Sequence, residues 1–301
     1  MATPIPGNTC CFTAAEIIKA TGATLTGSVS KVGSISIDSR TIIPGALFVA
    51  LRGVRDGHDF LAAASAHAAA ALVERGRGDG VLPCFETTDT LAALGALARF
   101  HLERERAARA IPVVTIGGAA GKTTTKELTA AMLRALYDDI AATPGNLNNL
   151  IGVPMTILTL APVHRAAVLE CGTNRAGEIA QLAAMVKPDV ALVLNVDIEH
   201  TEGLGSLQGV ADEETAIFRH ARTAVIDTAE AMVAARVPTG IRTVTFGDAS
   251  PADVRLHRRE IIERGGQRVT LALNPRLVED GVKPQFDAIL NLVGAAAAHN
   301  A

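Results

Sequence analysis

The sequence predicts an α/β chain in two parts, a small mixed module over residues 1–105 and a P-loop-type, mostly parallel sheet covered by helices over residues 110–301. Three observations carry this. After Pro112, short β-branched runs recur at Val113 to Ile116, Ala166 to Leu169, Val190 to Val196 and Ala224 to Ile226, with helix-length spacers between them. Such continuous apolar runs suit strands of a parallel sheet that is buried on both faces. A glycine turn, Gly117-Gly-Ala-Ala-Gly121, joins the first run to a helical stretch opening at Lys122. The charged helical run from His101 to Arg109, closed by Pro112, marks the boundary between the parts.

In the first part, Ala14 to Ala20 reads as a short helix, Val32 to Ile37 and Gly45 to Leu51 as strands, and Leu61 to Val73 as a helix leading to another strand. In the second, the helix after Gly121 is expected to bury one face made by Leu128, Met132, Leu133 and Leu136. Ligands of parallel sheets bind beyond the carboxyl ends of the strands, so polar residues that directly follow the runs are the candidates for chemistry.

Composition narrows the class. With 49% hydrophobic and 20% charged residues over 301 positions, the chain can bury two cores. A formal charge of −3 and the lack of any Lys/Arg run exclude a nucleic-acid-binding class. The greasy stretch from Phe60 to Val73 is too short to span a bilayer. The N-terminus shows no basic start followed by an apolar core, which points to a cytoplasmic protein. Cys10, Cys11, Cys84 and Cys171 form no C-x-x-C pair and read as reduced thiols.

The strand, glycine turn and Gly121-Lys-Thr123 form the context of a phosphate-binding loop, although the usual G-x-x-x-x-G-K-[ST] spacing would need glycine where Ile116 stands. Gly118 and Gly121 let backbone N–H groups approach phosphates, Lys122 can reach their outer oxygens, and the Thr123 hydroxyl, followed by Thr124, can bind Mg²⁺. Glu170 ends the second run and offers a hard cation an oxygen ligand, and His200 follows the third. Asn146, Asn148 and Asn149 lie in one loop, where their amides either orient a substrate or satisfy the turn backbone.

These residues resemble the Mur ligases, and among them the branch that adds D-alanyl-D-alanine to UDP-N-acetylmuramoyl-tripeptide. The shorter loop is similar to that family's own variant, T-G-[ST]-N-G-K-T-[TS]. Asp38-Ser-Arg40, Pro44-Gly45, Gly53, Asp56-Gly-His58 and Phe60 resemble its UDP-sugar-binding N-terminal domain. Thr143 to Pro154 is similar to T-x-G-N-x-N-N-x-I-G-x-P, and Glu170 to Glu178 to E-x-G-x-x-x-x-G-E. Lys187-Pro-Asp189, Asn195 and Gly205-Ser206 also fall in register.

The resemblance implies ATP and Mg²⁺ as cofactors, a UDP-N-acetylmuramoyl-peptide and D-alanyl-D-alanine as substrates, and a monomer. Lys122, Glu170, His200 and Glu214 would be catalytic, and Gly118, Gly121, Lys122, Thr123, Thr124 and Asn300 would bind the nucleotide. Thr123, Glu170 and His200 would hold the metal, and Ser39, Arg40, Asp56, Gly57, His58 and the three asparagines the acceptor. The chain also departs from the pattern. Ala119 and Ala120 replace polar loop residues, and Glu214 stands where the family carries a carbamylated lysine, either serving a metal or lying on a solvated acidic face with Asp212 and Glu213. Ala296 and Ala297, between Gly294 and Asn300, replace a His-Asn pair, and the family's third domain is expected to be absent. Two other readings stand beside ligation of this dipeptide: a relative recruited to another amino-acid ligation, and a silent nucleotide- or UDP-sugar-binding protein.

Overall fold

A computed structural model describes residues 3–198, 201–262, 266–278 and 283–291. The chain forms two compact units, Met1–Ile111 with Thr143–Arg165, and Pro112–Ala142 with Ala166–Ala301. The division falls beside Pro112, and residues 143–165, inside the expected second part, pack with the first unit.

The first unit opens with β1 (Phe12–Thr13) and α1 (Ala14–Thr21), whose start is fixed by a reciprocal capping box between Thr13 and Glu16 and whose end is fixed by Gly22 at φ 68°. β2 (Thr24–Thr26), β3 (Lys31–Val32), β4 (Ser34–Ser36) and β5 (Ala46–Val49) follow, then α2 (Leu61–Ala64), β6 (Ala68–Glu74), β7 (Cys84–Thr87) and α3 (Thr90–Ala108). The main sheet runs β2-β7-β6-β5-β4, parallel from β4 to β7 with β2 antiparallel at the edge, while β1 and β3 pair separately. The helix expected over Leu61 to Val73 is corrected: it stops at Ala64, and Ala68–Glu74 is a strand. Alanine favours helix, but β6 lies between β5 and β7, where small buried side chains let flanking layers close in, and tertiary packing overrides propensity. The expected strand from Val32 to Ile37 is split at Gly33 into β3 and β4.

The second unit begins with β8 (Val113–Gly117), α4 (Lys122–Arg134) and β9 (Ile140–Ala142). The chain then enters the first unit, where it forms α5 (Gly152–Ile157), before β10 (Ala166–Glu170), α6 (Glu178–Val186), β11 (Val190–Val193), α7 (Thr201–Leu204) and α8 (Leu207–Glu214). β12 (Thr223–Asp227), α9 (Ala231–Ala234), β13 (Arg242–Gly247), β14 (Val254–Ile262), β15 (Gly266–Leu273) and β16 (Gln285–Leu290) complete it. Its sheet has the order β16-β15-β14-β13-β12-β11-β8-β10-β9, parallel from β9 to β14 and antiparallel beyond. Ile116, Ala130, Ile140, Ala166, Val168 and Leu194 form a core beneath α4.

The buried face of α4 differs from the expectation. It presents Thr125, Lys126 and Ala130, with Leu133 partly covered, while Met132 and Leu136 are exposed. Contacts made by Thr123 and Lys126 with Glu170 fix the helix's rotation, and the apolar side chains a third of a turn away are left outside. β11 ends at Val193 rather than Val196 because the following chain turns to bond the glycine loop: Leu194 N donates to Gly117 O at 3.1 Å, and Ala119 N to Asn195 O at 3.1 Å. All four cysteines are free, and burial pushes Cys10 up to about 12 and Cys84 up to about 11. No helix among the described residues is long and apolar enough to cross a membrane.

Candidate active site

The glycine loop leaves the carboxyl end of β8, which lies between β11 and β10 in the second unit's sheet. Gly118 has φ 117°, and a Cβ there would come within 3.0 Å of the backbone nitrogens of Leu194 and Asn195, so only glycine fits. Protein acceptors hold the loop's next N–H groups: Gly118 N donates to Glu214 Oε2 at 2.8 Å and Ala120 N to Asn195 Oδ1 at 2.8 Å. Asn195 Nδ2 donates in return to Ala120 O at 3.1 Å. Gly121, at φ 88°, precedes α4 and no side chain caps the helix. The first-turn N–H groups of Lys122, Thr123 and Thr124 therefore present the positive end of the helix, an arrangement suited to an anion. Lys122 Nζ arches over the loop and donates to Gly118 O and, at 2.8 Å, to Ala119 O.

Thr123 Oγ1 donates to Glu170 Oε2 at 3.0 Å, joining the helix start to the end of β10. Glu170 is 2% exposed, and Lys126, one turn along α4, is wholly buried with Nζ 4.0 Å from the same oxygen and 2.9 Å from Glu127 Oε1. Next to Glu170, the Cys171 thiol is pushed far up by burial and then by the charges of Glu214 and Glu170.

The donor set fits a magnesium nucleotide: Mg²⁺ typically takes one or two carboxylates with the remaining positions filled by phosphates and water, and Thr123 and Glu170 offer two hard oxygens beside an uncapped helix start. Among the described residues, no three His, Cys, Asp or Glu side chains are grouped as a metal site. His200 and Asn300 lie outside the described residues.

Glu214 is not on a solvated face, and neither is Glu213. Both are buried at the end of α8, and only Asp212 faces outward, where it accepts from Arg236 Nε at 2.6 Å. Two residues of this cluster escaped the sequence reading. Lys126 sits three positions after Thr123, on the same helix face, which is a readable signal. Glu213 gave none, because its partners Gly177 and Ile179 lie more than thirty residues earlier.

In the first unit, a cavity of about 360 Å³ is lined by Asp38, Ser39, Arg40, Arg55, Gly57 and Phe60 among others. Arg40 grips Asp38 with two bonds, Nε to Oδ1 at 2.9 Å and a terminal nitrogen to Oδ2 at 2.6 Å, which holds that carboxyl below its ordinary range. Asp56 and His58 are not among the lining residues. His58 Nε2 accepts from Glu74 N at 3.0 Å, so Nδ1 carries the proton and donates to Asp56 Oδ1 at 2.6 Å. His58's backbone N–H and ring, and then Arg77, hold the Asp56 carboxyl far below the usual range. This cluster shapes the loop that brings Gly57 to the cavity. In the asparagine loop, Asn146 Oδ1 accepts from Thr3 Oγ1 at 3.0 Å, and Asn149 Oδ1 accepts from Ile151 N and Gly152 N at 3.0 and 2.9 Å. Asn149 thus satisfies the backbone that opens α5.

A strand, glycine loop and uncapped helix facing a buried carboxylate define a nucleotide-binding α/β domain. The family description "Mur ligase middle domain" matches residues 116–301, and this chain belongs to the Mur ligase family. It is 44% identical over 195 residues, 64% of this chain and 42% of the relative, to a UDP-N-acetylmuramoyl-tripeptide–D-alanyl-D-alanine ligase of Escherichia coli (strain K12). Its fold matches a crystal structure of MurF from Acinetobacter baumannii with a TM-score of 0.85 at 28% identity, covering 99% of this chain and 63% of that one. It also matches MurF from Thermotoga maritima in complex with ADP, TM-score 0.75 at 28% identity, covering 88% of this chain and 60% of that one. The chain therefore spans less than two thirds of the length of these relatives.

Proposed function

We propose that this chain supplies the acceptor-binding and ATP-binding parts of a cytoplasmic, monomeric peptide ligase of peptidoglycan precursor synthesis, which joins D-alanyl-D-alanine to UDP-N-acetylmuramoyl-tripeptide. The carrying observation is the Thr123–Glu170 contact at the uncapped start of α4, with Lys122 above the loop. In the proposed reaction, the terminal carboxylate of the acceptor peptide takes the γ-phosphoryl group of ATP. The amine of the dipeptide then attacks the acyl carbon, an amide forms and phosphate leaves. Lys122 and the first-turn N–H groups of α4 bind the phosphates and offset charge on the transferring group, which is often the largest catalytic effect. Thr123 and Glu170 would hold Mg²⁺, which when bound neutralises phosphate charge. The first unit's cavity, with Ser39, Arg40 and Arg55, suits an anionic sugar nucleotide.

The test is calorimetric titration of Mg²⁺ with ATP into the 301-residue chain and into Lys122→Ala, with UDP-N-acetylmuramoyl-tripeptide titrated separately. A charged hydrogen bond contributes about 1.5–3 kcal/mol, so the variant should bind ATP about ten- to a hundred-fold more weakly and the sugar nucleotide unchanged. A second reading, a binding protein without ligation, is favoured by the engagement of the Ala119 and Ala120 N–H groups with protein acceptors. Sugar-nucleotide binding with no ATP binding in the unmodified chain would put that reading first.

A further inference from the structure

α8 ends in two consecutive buried carboxylates that reach two different loops. Glu214 Oε2 accepts from Gly118 N, in the loop after β8, at 2.8 Å. Glu213 accepts from Gly177 N through Oε2 at 2.7 Å and from Ile179 N through Oε1 at 2.7 Å, and from Thr173 Oγ1 at 3.4 Å, all between β10 and the first turn of α6. Helix starts are ordinarily capped by a residue of their own turn, but α6 is preceded by Gly177 at φ 90° with no side-chain cap. A distant helix supplies the acceptor instead. Two adjacent carboxylates at the C-terminal end of α8 also face the negative end of that helix's dipole, and both are withdrawn from water. Bonds from N–H donors offset this unfavourable placement. The loop leaves room for the contact, since a Cβ on Gly117 would stand 3.2 Å from Glu214 Oε2.

We propose that Glu213 and Glu214 are positioning residues, a paired clamp that ties the loop after β8 and the loop after β10 to one helix end. The two clamped loops adjoin Lys122 and Thr123 on one side and Glu170 on the other, so the clamp holds the spacing between the groups that meet the nucleotide. Glu214 acts here as a backbone acceptor. A loop fixed beforehand loses less freedom on binding, and the clamp therefore raises nucleotide affinity. The proposal rests on the reading of this loop as the nucleotide site, and its test separates the two.

Amide hydrogen exchange of the 301-residue chain without nucleotide reads the clamp, and calorimetry with Mg²⁺ and ATP reads its consequence. Glu214→Leu should speed exchange at residues 117–121 about tenfold and weaken ATP binding by a similar factor, because the Gly118 N–H loses its acceptor. Glu214→Gln keeps an acceptor oxygen at nearly the same position and should restore most of both. Glu213→Leu should speed exchange over residues 173–179. UDP-N-acetylmuramoyl-tripeptide binding should not change in any variant, and unchanged exchange across β12 reports that the second unit has folded. Should Glu214→Leu fail to fold, Glu214→Gln beside Gly117→Ala, which pushes on the same oxygen, gives the same comparison. Unchanged exchange in both loops would overturn the clamp, as would a Glu214→Gln protein as weak for ATP as Glu214→Leu, which would assign Glu214 a role needing its charge. If the unmodified chain binds no ATP while exchange responds as described, the clamp stands and the nucleotide reading falls.

Discussion

The cluster around His58 and the cluster around Glu170 are built from the same kinds of group, a carboxylate, a cation or imidazole and nearby backbone N–H donors, and they are used in opposite ways. In the first unit, both ring nitrogens of His58 and both oxygens of Asp56 are bonded within the loop and strand they connect. In the second, Glu170 and Lys126 are buried, but Thr123, which shares an oxygen of Glu170, is exposed at a helix start without a cap. The first arrangement holds backbone in place. The second stands beside the first-turn N–H groups of α4, which no side chain caps, so these donors can take a ligand's oxygens. A polar cluster near a cavity is therefore not by that fact a binding site, and what separates the two is whether the donors end on protein.

The largest effect should come from removing the buried cation. Lys126→Met leaves Glu170 charged and buried without its ammonium neighbour, and breaking such a pair typically costs about 3–5 kcal/mol. Urea unfolding should show a loss of that order, partly recovered in Lys126→Met combined with Glu170→Gln. A loss within experimental error would mean that Glu170 is held by groups other than Lys126, and the contrast between the clusters would lose its buried charge.

His58→Leu sharpens the other side of the comparison. It strips the acceptor from Glu74 N–H and the ring partner from Asp56, and an orphaned buried donor costs about 1–3 kcal/mol. Unfolding free energy should fall by about 2 kcal/mol, while sugar-nucleotide affinity measured well below the unfolding midpoint should change less than about threefold. A loss of affinity without a loss of stability would make His58 a ligand-contacting residue and close the gap between the two clusters.

The sequence was most readable where local chemistry and fold agree. The strand, glycine turn and helix around Gly118 to Thr123 were legible because the glycines and the apolar run both demand that geometry, and Glu170 followed from its place at a strand end. The alanine run after Ala64 was not legible, since its strand state depends on burial between two neighbours that periodicity cannot show. Nor was the rotation of α4, where Met132 and Leu136 suggested a buried face and the contacts of Thr123 and Lys126 decided otherwise. For Glu214 the sequence left a metal-serving role and a solvated acidic run with Asp212 and Glu213 both open, and only the path of α8 past two loops shows that Glu213 and Glu214 are buried.

Acid should loosen the first unit in a defined window. His101 is buried, accepts from Arg104 at Nδ1 at 3.0 Å and donates from Nε2 to Leu160 O at 2.9 Å, so the fold requires its neutral form. Burial first, and then the charge of Arg104, hold its pKa below the ordinary value. A depressed folded-state pKa means that the unfolded chain binds the proton more readily, so this contribution is fully present above about pH 6.5 and is lost as pH falls below it. Urea titrations at descending pH should show that loss, and His101→Gln should flatten it. An unchanged slope in the variant would transfer the acid sensitivity to other groups.

The smallest effect belongs to the ion pair between Arg99 and Glu103 on α3, which joins Nε to Oε1 at 2.9 Å with both side chains about half exposed. Charges four residues apart on a helix contribute about 0.3–0.5 kcal/mol, and the cation lying N-terminal to the anion is the weaker order. Arg99→Ala should therefore shift the unfolding free energy by less than about 0.5 kcal/mol, and less still in high salt. This pair has geometry as good as any in the two buried clusters, yet water already solvates both partners. If its removal were as damaging as that of Lys126, burial would not be what gives the clusters their weight, and the contrast between a closed and an open cluster would have to rest on geometry alone.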